Sequence, residues 1–298
     1  MFLMELRIRS ECPLCSSKNI KSFKRGTFDP EHISSENFNI TDSNYGSAWT
    51  FFRCRDCRFV FSNPYVPEDK ILEFYSGLED REYNSEAAGR ARNFKTILKR
   101  LNKIAKPGKT ILDVGAASGI FIHLARRDGY EISGIEPSSF LVEEAERFYG
   151  LKLFQGTIEH YRPGKKFAVI ALLDILEHLV EPDIFWDKID NLLEKDGIVI
   201  IVTPDINSIT ARIAGKRWWH YRIAHINFFS LKSILYLLNK HHCEVVLKKR
   251  YAWNFSLFYL LTRVFPSFKN KKALQKILKS INLKLQLFDS WEIYARKK

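Results

Sequence analysis

No apolar run in this chain reaches the roughly 18 to 20 residues that a membrane-crossing helix requires, which excludes a conventional helical span. The start, Met1-Phe-Leu-Met-Glu-Leu-Arg7, has no extended apolar h-region and no cleavage-like pattern, so a cytoplasmic location is the expectation. Acidic residues are scarce at the other end. Lys240 to Lys298 carries 14 Lys and Arg against 3 Asp and Glu, which accounts for nearly all of the net charge of +13. The rest is ordinary for a globular protein: 298 residues, 46% hydrophobic and 27% charged, a length that suggests roughly two domains with a buried core.

The chain also lacks a complete dinucleotide fingerprint. Thr110-Ile-Leu-Asp-Val-Gly-Ala-Ala-Ser-Gly119 reads as strand, tight turn and helix start, but the three fingerprint glycines fall on Gly115, Ala117 and Ile120, so two of the three fail. A pyrophosphate clamp is therefore not expected. Small residues still allow a ligand close to the backbone, and the free N–H groups at the start of the following helix offer hydrogen bonds to it. Glu136 lies 21 positions after Gly115, at the end of the next apolar strand, where a carboxylate accepts ribose hydroxyls in a doubly wound sheet.

An Asp-x-Gly-x-small-x-Gly loop followed by an acid at the end of the next strand resembles motif I of class I S-adenosylmethionine (SAM)-dependent methyltransferases. The resemblance continues through Gly156-Thr157-Ile158, then Lys166 to Leu179 with its Asp-Ile-Leu-Glu-His-Leu block, then Asp196 to Asp205 as a fifth strand. It covers about residues 87–240. It implies a Rossmann-like α/β sheet, doubly wound, of seven strands with an antiparallel last strand. It also implies SAM contacts at Asp113, Gly115, Ala117, Gly119, Glu136, Thr157, Ile158 and Asp174.

Four of the five cysteines form Cys12-Pro-Leu-Cys15 and Cys54-Arg-Asp-Cys57, two CxxC pairs 38 residues apart. Two such knuckles can close a tetrahedral site around Zn²⁺, and four thiolates leave no open position, so a structural zinc is expected; a disulfide pair is the rival in an oxidising compartment. The expected organisation is a small zinc-ribbon domain at residues 1–67 and a methyltransferase domain at 68–298 with a helical insertion at about 251–289. A zinc ribbon joined to this core resembles bacterial methyltransferases that include deoxysugar C-methyltransferases.

Methyl transfer from a sulfonium needs mainly positioning, plus a general base when the acceptor is a hydroxyl or an enolisable carbon. His178 and His225 are the candidates, each with a capping or loop-packing role as the alternative. In the sugar enzymes the matching loop reads Tyr-x-Glu-His; here Arg222-Ile223-Ala224-His225 keeps the His alone. Asp174, Glu177 and His178 resemble a run thought to hold Mg²⁺ in some quinone-biosynthesis O-methyltransferases, though solvated rim charges account for it equally well. Trp218, Trp219 and Tyr221 form an aromatic group that either stacks an acceptor or covers the sheet end.

Near the C-terminus, Phe255 to Phe265 and a stretch with Leu274, Ile277, Leu278, Ile281 and Leu285 at helical spacing suggest two inserted helices. Lys271, Lys272, Lys276 and Lys279 make the second one basic, so peripheral contact with an anionic membrane is one expectation and a solvated packed face the other. The functional expectation is SAM-dependent methylation of a small-molecule or sugar acceptor, nucleotide- or lipid-linked in one version. The alternative is an rRNA or other nucleic-acid methyltransferase, or a zinc-ribbon nucleic-acid-binding protein. The absence of an Asn/Asp-Pro-Pro-aromatic motif after Leu173 makes nucleic acid the lesser partner.

Overall fold

The computed structural model describes residues 6–28, 33–41, 45–105, 109–265 and 272–298. In chain order it contains β1 (Ile20–Lys24), β2 (Phe51–Cys54), β3 (Val60–Ser62), α1 (Glu68–Ser76), α2 (Ala87–Ile104), β4 (Thr110–Val114), α3 (Ile120–Arg127), β5 (Glu131–Glu136), α4 (Ser139–Tyr149), β6 (Phe154–Gln155) and β7 (Phe167–Leu173). There follow α5 (Pro182–Leu192), β8 (Leu193–Pro204), α6 (Ile209–Ala214), β9 (Asn227–Phe228), α7 (Leu231–Lys240), β10 (Cys243–Arg250), β11 (Trp253–Ser256), α8 (Leu257–Val264), α9 (Lys272–Ser280), β12 (Asn282–Leu285) and β13 (Ser290–Lys297).

The main sheet has the order β10-β13-β8-β7-β4-β5-β6. Its strands run parallel except β13, which is antiparallel to both β8 and β10. This is the expected seven-stranded doubly wound sheet with an antiparallel last strand. The central strand β7 is a continuous apolar run and β4 is buried from Ile111 to Val114 because helices cover both faces of the sheet, so no alternation is required. After β4 the chain winds outward through β5 and β6, then returns to β7 on the other side. That reversal opens a crevice at the carboxyl ends of β4, β5 and β7.

The cysteine-bearing segment forms a second sheet, β1-β2-β3-β9, whose last strand comes from the loop after α6. Trp49 donates its indole N–H to the Ile223 carbonyl at 2.7 Å, and the Ser62 amide donates to Ile226 at 2.8 Å. Residues from both sheets share the buried apolar clusters, with Phe59 packed between Phe61 and Phe229.

The C-terminal insertion is a small antiparallel ribbon, β11 with β12, carrying α8 and α9 between its strands. Its helices fall within the expected span, but the second ends at Ser280. Leu285 lies in β12 opposite Trp253, because ribbon pairing takes over where helical spacing had carried the pattern on to Leu285. Lys271 and the side chains of Lys272 and Leu274 lie outside the described residues. The ribbon rides on α2 at Gly89, where a Cβ would come within 2.6 Å of the Asn254 carbonyl oxygen. Asn93 accepts both the backbone and side-chain N–H of Asn254, and Glu86 accepts the hydroxyl of Ser256 at 2.7 Å. Among the described residues no helix is long and apolar enough to cross a membrane.

Candidate functional site

A cavity of about 530 Å³ occupies the crevice and extends beneath the inserted ribbon. At its inner end, Asp113 closes β4, and Gly115 and Ala117 turn the chain with φ of 73° and 48°. Gly115 has to be glycine: besides its left-handed φ, a Cβ there would sit 2.2 Å from the Ile175 side chain. Gly119 (φ 77°) caps α3, where a side chain would meet Leu151. The buried Glu136 carboxylate accepts the Ala117 N–H at 2.8 Å through one oxygen and the Ser138 N–H at 2.9 Å through the other. Each oxygen keeps a second lone pair for a ligand. Thr157 and Ile158 also line the cavity.

Burial dominates the electrostatics here. It pushes Glu136 up to about 7 despite the two backbone N–H bonds, and raises Asp113 well above the carboxylate range with help from the neighbouring Glu136 charge. Asp174, at a positive φ of 56° after β7, is likewise raised to about 7, with Arg90 pulling the other way. Arg90 itself lines the cavity, stacks on the Tyr83 ring at 4.0 Å and has no carboxylate at ion-pair distance among the described residues.

Toward the centre of the cavity, Glu177 and His178 follow β7 on a short 3-10 turn, and His225 comes from the loop before β9. The His178 and His225 rings meet edge to face at 4.9 Å. One ligand-type atom each from Glu177, His178 and His225 lies within 4.8 Å of the others, whereas Asp174 is not part of that group. Glu177 accepts the Thr203 hydroxyl at 3.0 Å with one oxygen, while its other oxygen and His225 Nδ1 are buried without a partner.

His178 Nδ1 lies 2.8 Å from the Ala224 carbonyl and 2.6 Å from the Tyr75 hydroxyl. A carbonyl only accepts, so Nδ1 carries the proton and Nε2 presents its lone pair. Burial lowers His178 to about 4 and His225 well below its ordinary value, so both rings are neutral at physiological pH.

The outer end is aromatic. Trp253, Phe255 and Tyr259 form a ladder with centroid spacings of 5.8 and 5.0 Å and interplanar angles of 9° and 10°. Trp219 joins this wall while its indole N–H donates to Asp289 at 2.8 Å; the same Asp289 oxygen lies 3.0 Å from His220 Nε2. Trp218 is instead fully buried against Tyr221 and Phe228, a packing role. Arg222 and Arg263 both line the cavity and donate to carbonyls of the 39–41 loop.

Apart from the cavity, Cys12 and Cys57 place their sulfurs 3.7 Å apart, and Cys15 and Cys54 theirs at 3.6 Å; all four come together as one cluster. Four ligands held tetrahedrally at about 2.3 Å from a zinc ion are separated by about 3.8 Å, so the set fits that metal. The structure thus brings most of the sequence-derived residues together in two places, while Gly119, Trp218 and Tyr221 lie off the cavity lining. Tyr75 and Arg90 carry no local motif, whereas His220 stands inside the Trp218–Tyr221 aromatic group and Arg263 inside the Phe255 to Phe265 stretch, and their place on the cavity comes from the fold. The glycine loop and the CxxC pairs carry their own local signals.

A family model described as a methyltransferase domain matches residues 83–248. Among curated proteins the chain is similar to ubiquinone biosynthesis O-methyltransferases. That of Bradyrhizobium diazoefficiens is 22% identical over 43% of this chain and 52% of the relative; that of Chelativorans sp. is 29% identical over 34% and 43%. The chain spans about half the length of the curated relatives it matches. Among solved structures, magnesium protoporphyrin IX methyltransferase from Synechocystis PCC 6803 with bound SAH superposes with a TM-score of 0.50 at 13% identity, covering 77% of this chain and 94% of that one, a likeness of fold.

Proposed function

The chain belongs to the methyltransferase domain family, and on that premise we propose that its cavity binds SAM and directs the methyl group to a small-molecule acceptor. The observation that carries this is the Glu136 carboxylate, fixed by Ala117 and Ser138 with free lone pairs beside a loop of small residues. We assign the ribose hydroxyls to Glu136, the loop side of the cofactor to Asp113, Gly115, Ala117 and Gly119, the adenine face to Thr157 and Ile158, and the methionine end to Asp174. The unpaired Arg90 cation beside Asp174 suits the methionine carboxylate.

When bound, SAM supplies an activated methyl on a sulfonium. The protein then has to orient the acceptor and receive its proton. His178 Nε2 offers a lone pair held in direction by the Ala224 carbonyl and Tyr75. His225 stands beside it, and Glu177 completes the group. With His178 lowered to about 4, it acts chiefly as a hydrogen-bond acceptor that aims a hydroxyl, taking the proton as charge develops. The aromatic ladder suits the face of a planar or sugar ring, and the relatives named as O-methyltransferases favour a hydroxyl as the acceptor. A structural Zn²⁺ held by Cys12, Cys15, Cys54 and Cys57 belongs to the same reading.

The test is calorimetry of the purified chain with SAM, SAH and NAD. Binding of the first two and not the third is expected; binding of NAD alone overturns the assignment.

A further inference from the structure

Two cations at the outer end of the cavity are held in an unusual way. Arg222 donates to the carbonyls of Asn39 (2.6 Å) and Ile40 (3.1 Å), and Arg263 donates to the next carbonyl, Thr41, at 2.7 Å. Three consecutive neutral acceptors therefore fix two guanidinium groups without cancelling their charge. The Nε of each has no partner, and among the described residues no carboxylate lies at ion-pair distance from either. The nearby Asp80 is committed to the amide and hydroxyl of Thr41. Arg263 stacks on Tyr259, the outermost ring of the aromatic ladder, at 4.5 Å. Tyr45 sits within reach of both arginine charges and of the Tyr259 phenol.

Holding two like charges together in a partly buried place is costly unless an anion joins them. An arginine pre-oriented by backbone carbonyls loses little further freedom when it receives an oxyanion. We propose that the acceptor is an oxyanion-bearing ring compound, carrying a carboxylate or phosphate: its ring lies on the Trp253–Phe255–Tyr259 ladder and its oxyanion meets Arg263 and Arg222. This rests on the reading of the cavity as a methyltransferase site and names the acceptor class for it. It also explains why the ladder is supplied by the inserted ribbon, which the cofactor end does not need: the insertion brings the rings and one of the two cations together on β11 and α8.

The probes are benzoate, phenyl phosphate, inorganic phosphate and benzyl alcohol, titrated into the SAH-saturated chain. At least one of the two ring anions should bind about tenfold or more tighter than benzyl alcohol and than inorganic phosphate. Arg263→Gln should remove that preference while leaving benzyl alcohol and SAH affinities unchanged. Arg222→Lys, which keeps the charge but not the paired carbonyl contacts, should weaken both ring anions by a smaller factor. A preference for carboxylate over phosphate, or the reverse, identifies which oxyanion is recognised. Equal affinity for the charged and neutral ring probes, or an unaltered preference in Arg263→Gln, overturns the proposal. Inorganic phosphate binding as tightly as phenyl phosphate overturns the role of the ladder. Failure of SAH to bind at the outset counts against the methyltransferase assignment instead.

Discussion

Glu136 and Ala117 are joined across two strands: the carboxylate at the end of β5 receives the amide proton of the loop after β4 at 2.8 Å. The acid assigned to the cofactor is thus also the brace that holds the loop in its positive-φ turn.

Glu136→Ala should therefore weaken SAH binding by about 1.5 to 3 kcal/mol, the range for a charged hydrogen-bond acceptor. Calorimetry on the variant measures it, with Glu136→Gln separating the loss of charge from the loss of the brace. Unchanged affinity in the alanine variant removes the ribose assignment.

Glu136 and Asp174 also set a pH dependence. In the folded chain both carboxyls keep their proton up to about pH 7, whereas in the unfolded chain they release it near the ordinary carboxylate values. Between those limits the folded state binds more protons, so their contribution to stability is present at low pH and is lost as pH rises toward about 7. The melting temperature of the ligand-free chain is expected to fall from about pH 5.5 to about pH 8, with a shallower fall in Asp174→Asn. SAH affinity should rise over the same interval as Glu136 ionises. An affinity that falls with pH contradicts the ionised-acceptor role.

For the two histidines, His178→Ala and His225→Ala should each lower turnover by about 10²- to 10⁴-fold, the usual worth of a positioned base, while SAH affinity stays the same. Tyr75→Phe, which leaves the Ala224 carbonyl as the only fixed partner of Nδ1, should produce a smaller loss. Normal turnover in both histidine variants shows that neither ring orients the acceptor.

One tightly held zinc per chain is expected from the cysteine cluster. Metal analysis after expression with ample zinc measures it, and Cys54→Ser should lower the content well below one equivalent. A wild-type content of less than a few tenths of an equivalent rules the site out.

The inserted helices yield a fifth expectation. Ile277 (61% exposed) and Lys276 on α9, Ile281 after it, and Leu283 and Lys284 on β12 of the ribbon are all exposed. Each basic residue near an anionic bilayer adds about 1 kcal/mol, so salt-sensitive co-sedimentation with anionic vesicles is expected. Equal lack of binding to anionic and neutral vesicles at low salt leaves these residues as an ordinary surface. Salt-sensitive retention on RNA in its place redirects attention to a nucleic-acid acceptor.

What the chain disclosed in one dimension was whatever is written locally. The β4 loop, Glu136 one strand later and the CxxC pairs are short-range patterns, and the strand order is what the family resemblance they carry implies. The rest of the cavity was not legible because its parts come from distant segments: Tyr75 from α1 reaches His178, Arg90 from α2 lies by Asp174, and Arg222 from the loop before β9 and Arg263 from α8 meet at the outer end. The end of the second inserted helix was misread for a different reason. Ile281 and Leu285 are four apart, as on a helix, but Leu283 and Leu285 are two apart, as on a strand; β11 beside them decides in favour of the strand.

The pairing of β3 with β9 has a consequence for synthesis. The ribosome delivers β3 and both cysteine knuckles before the whole methyltransferase core, yet the strand that completes their sheet follows α6. Until then the outer edge of β3, with Phe61 on it, is an open row of amide and carbonyl groups. A nascent chain stalled anywhere before β9 therefore leaves Val60 and Phe61 without their second strand, an edge open to pairing until Asn227 and Phe228 arrive.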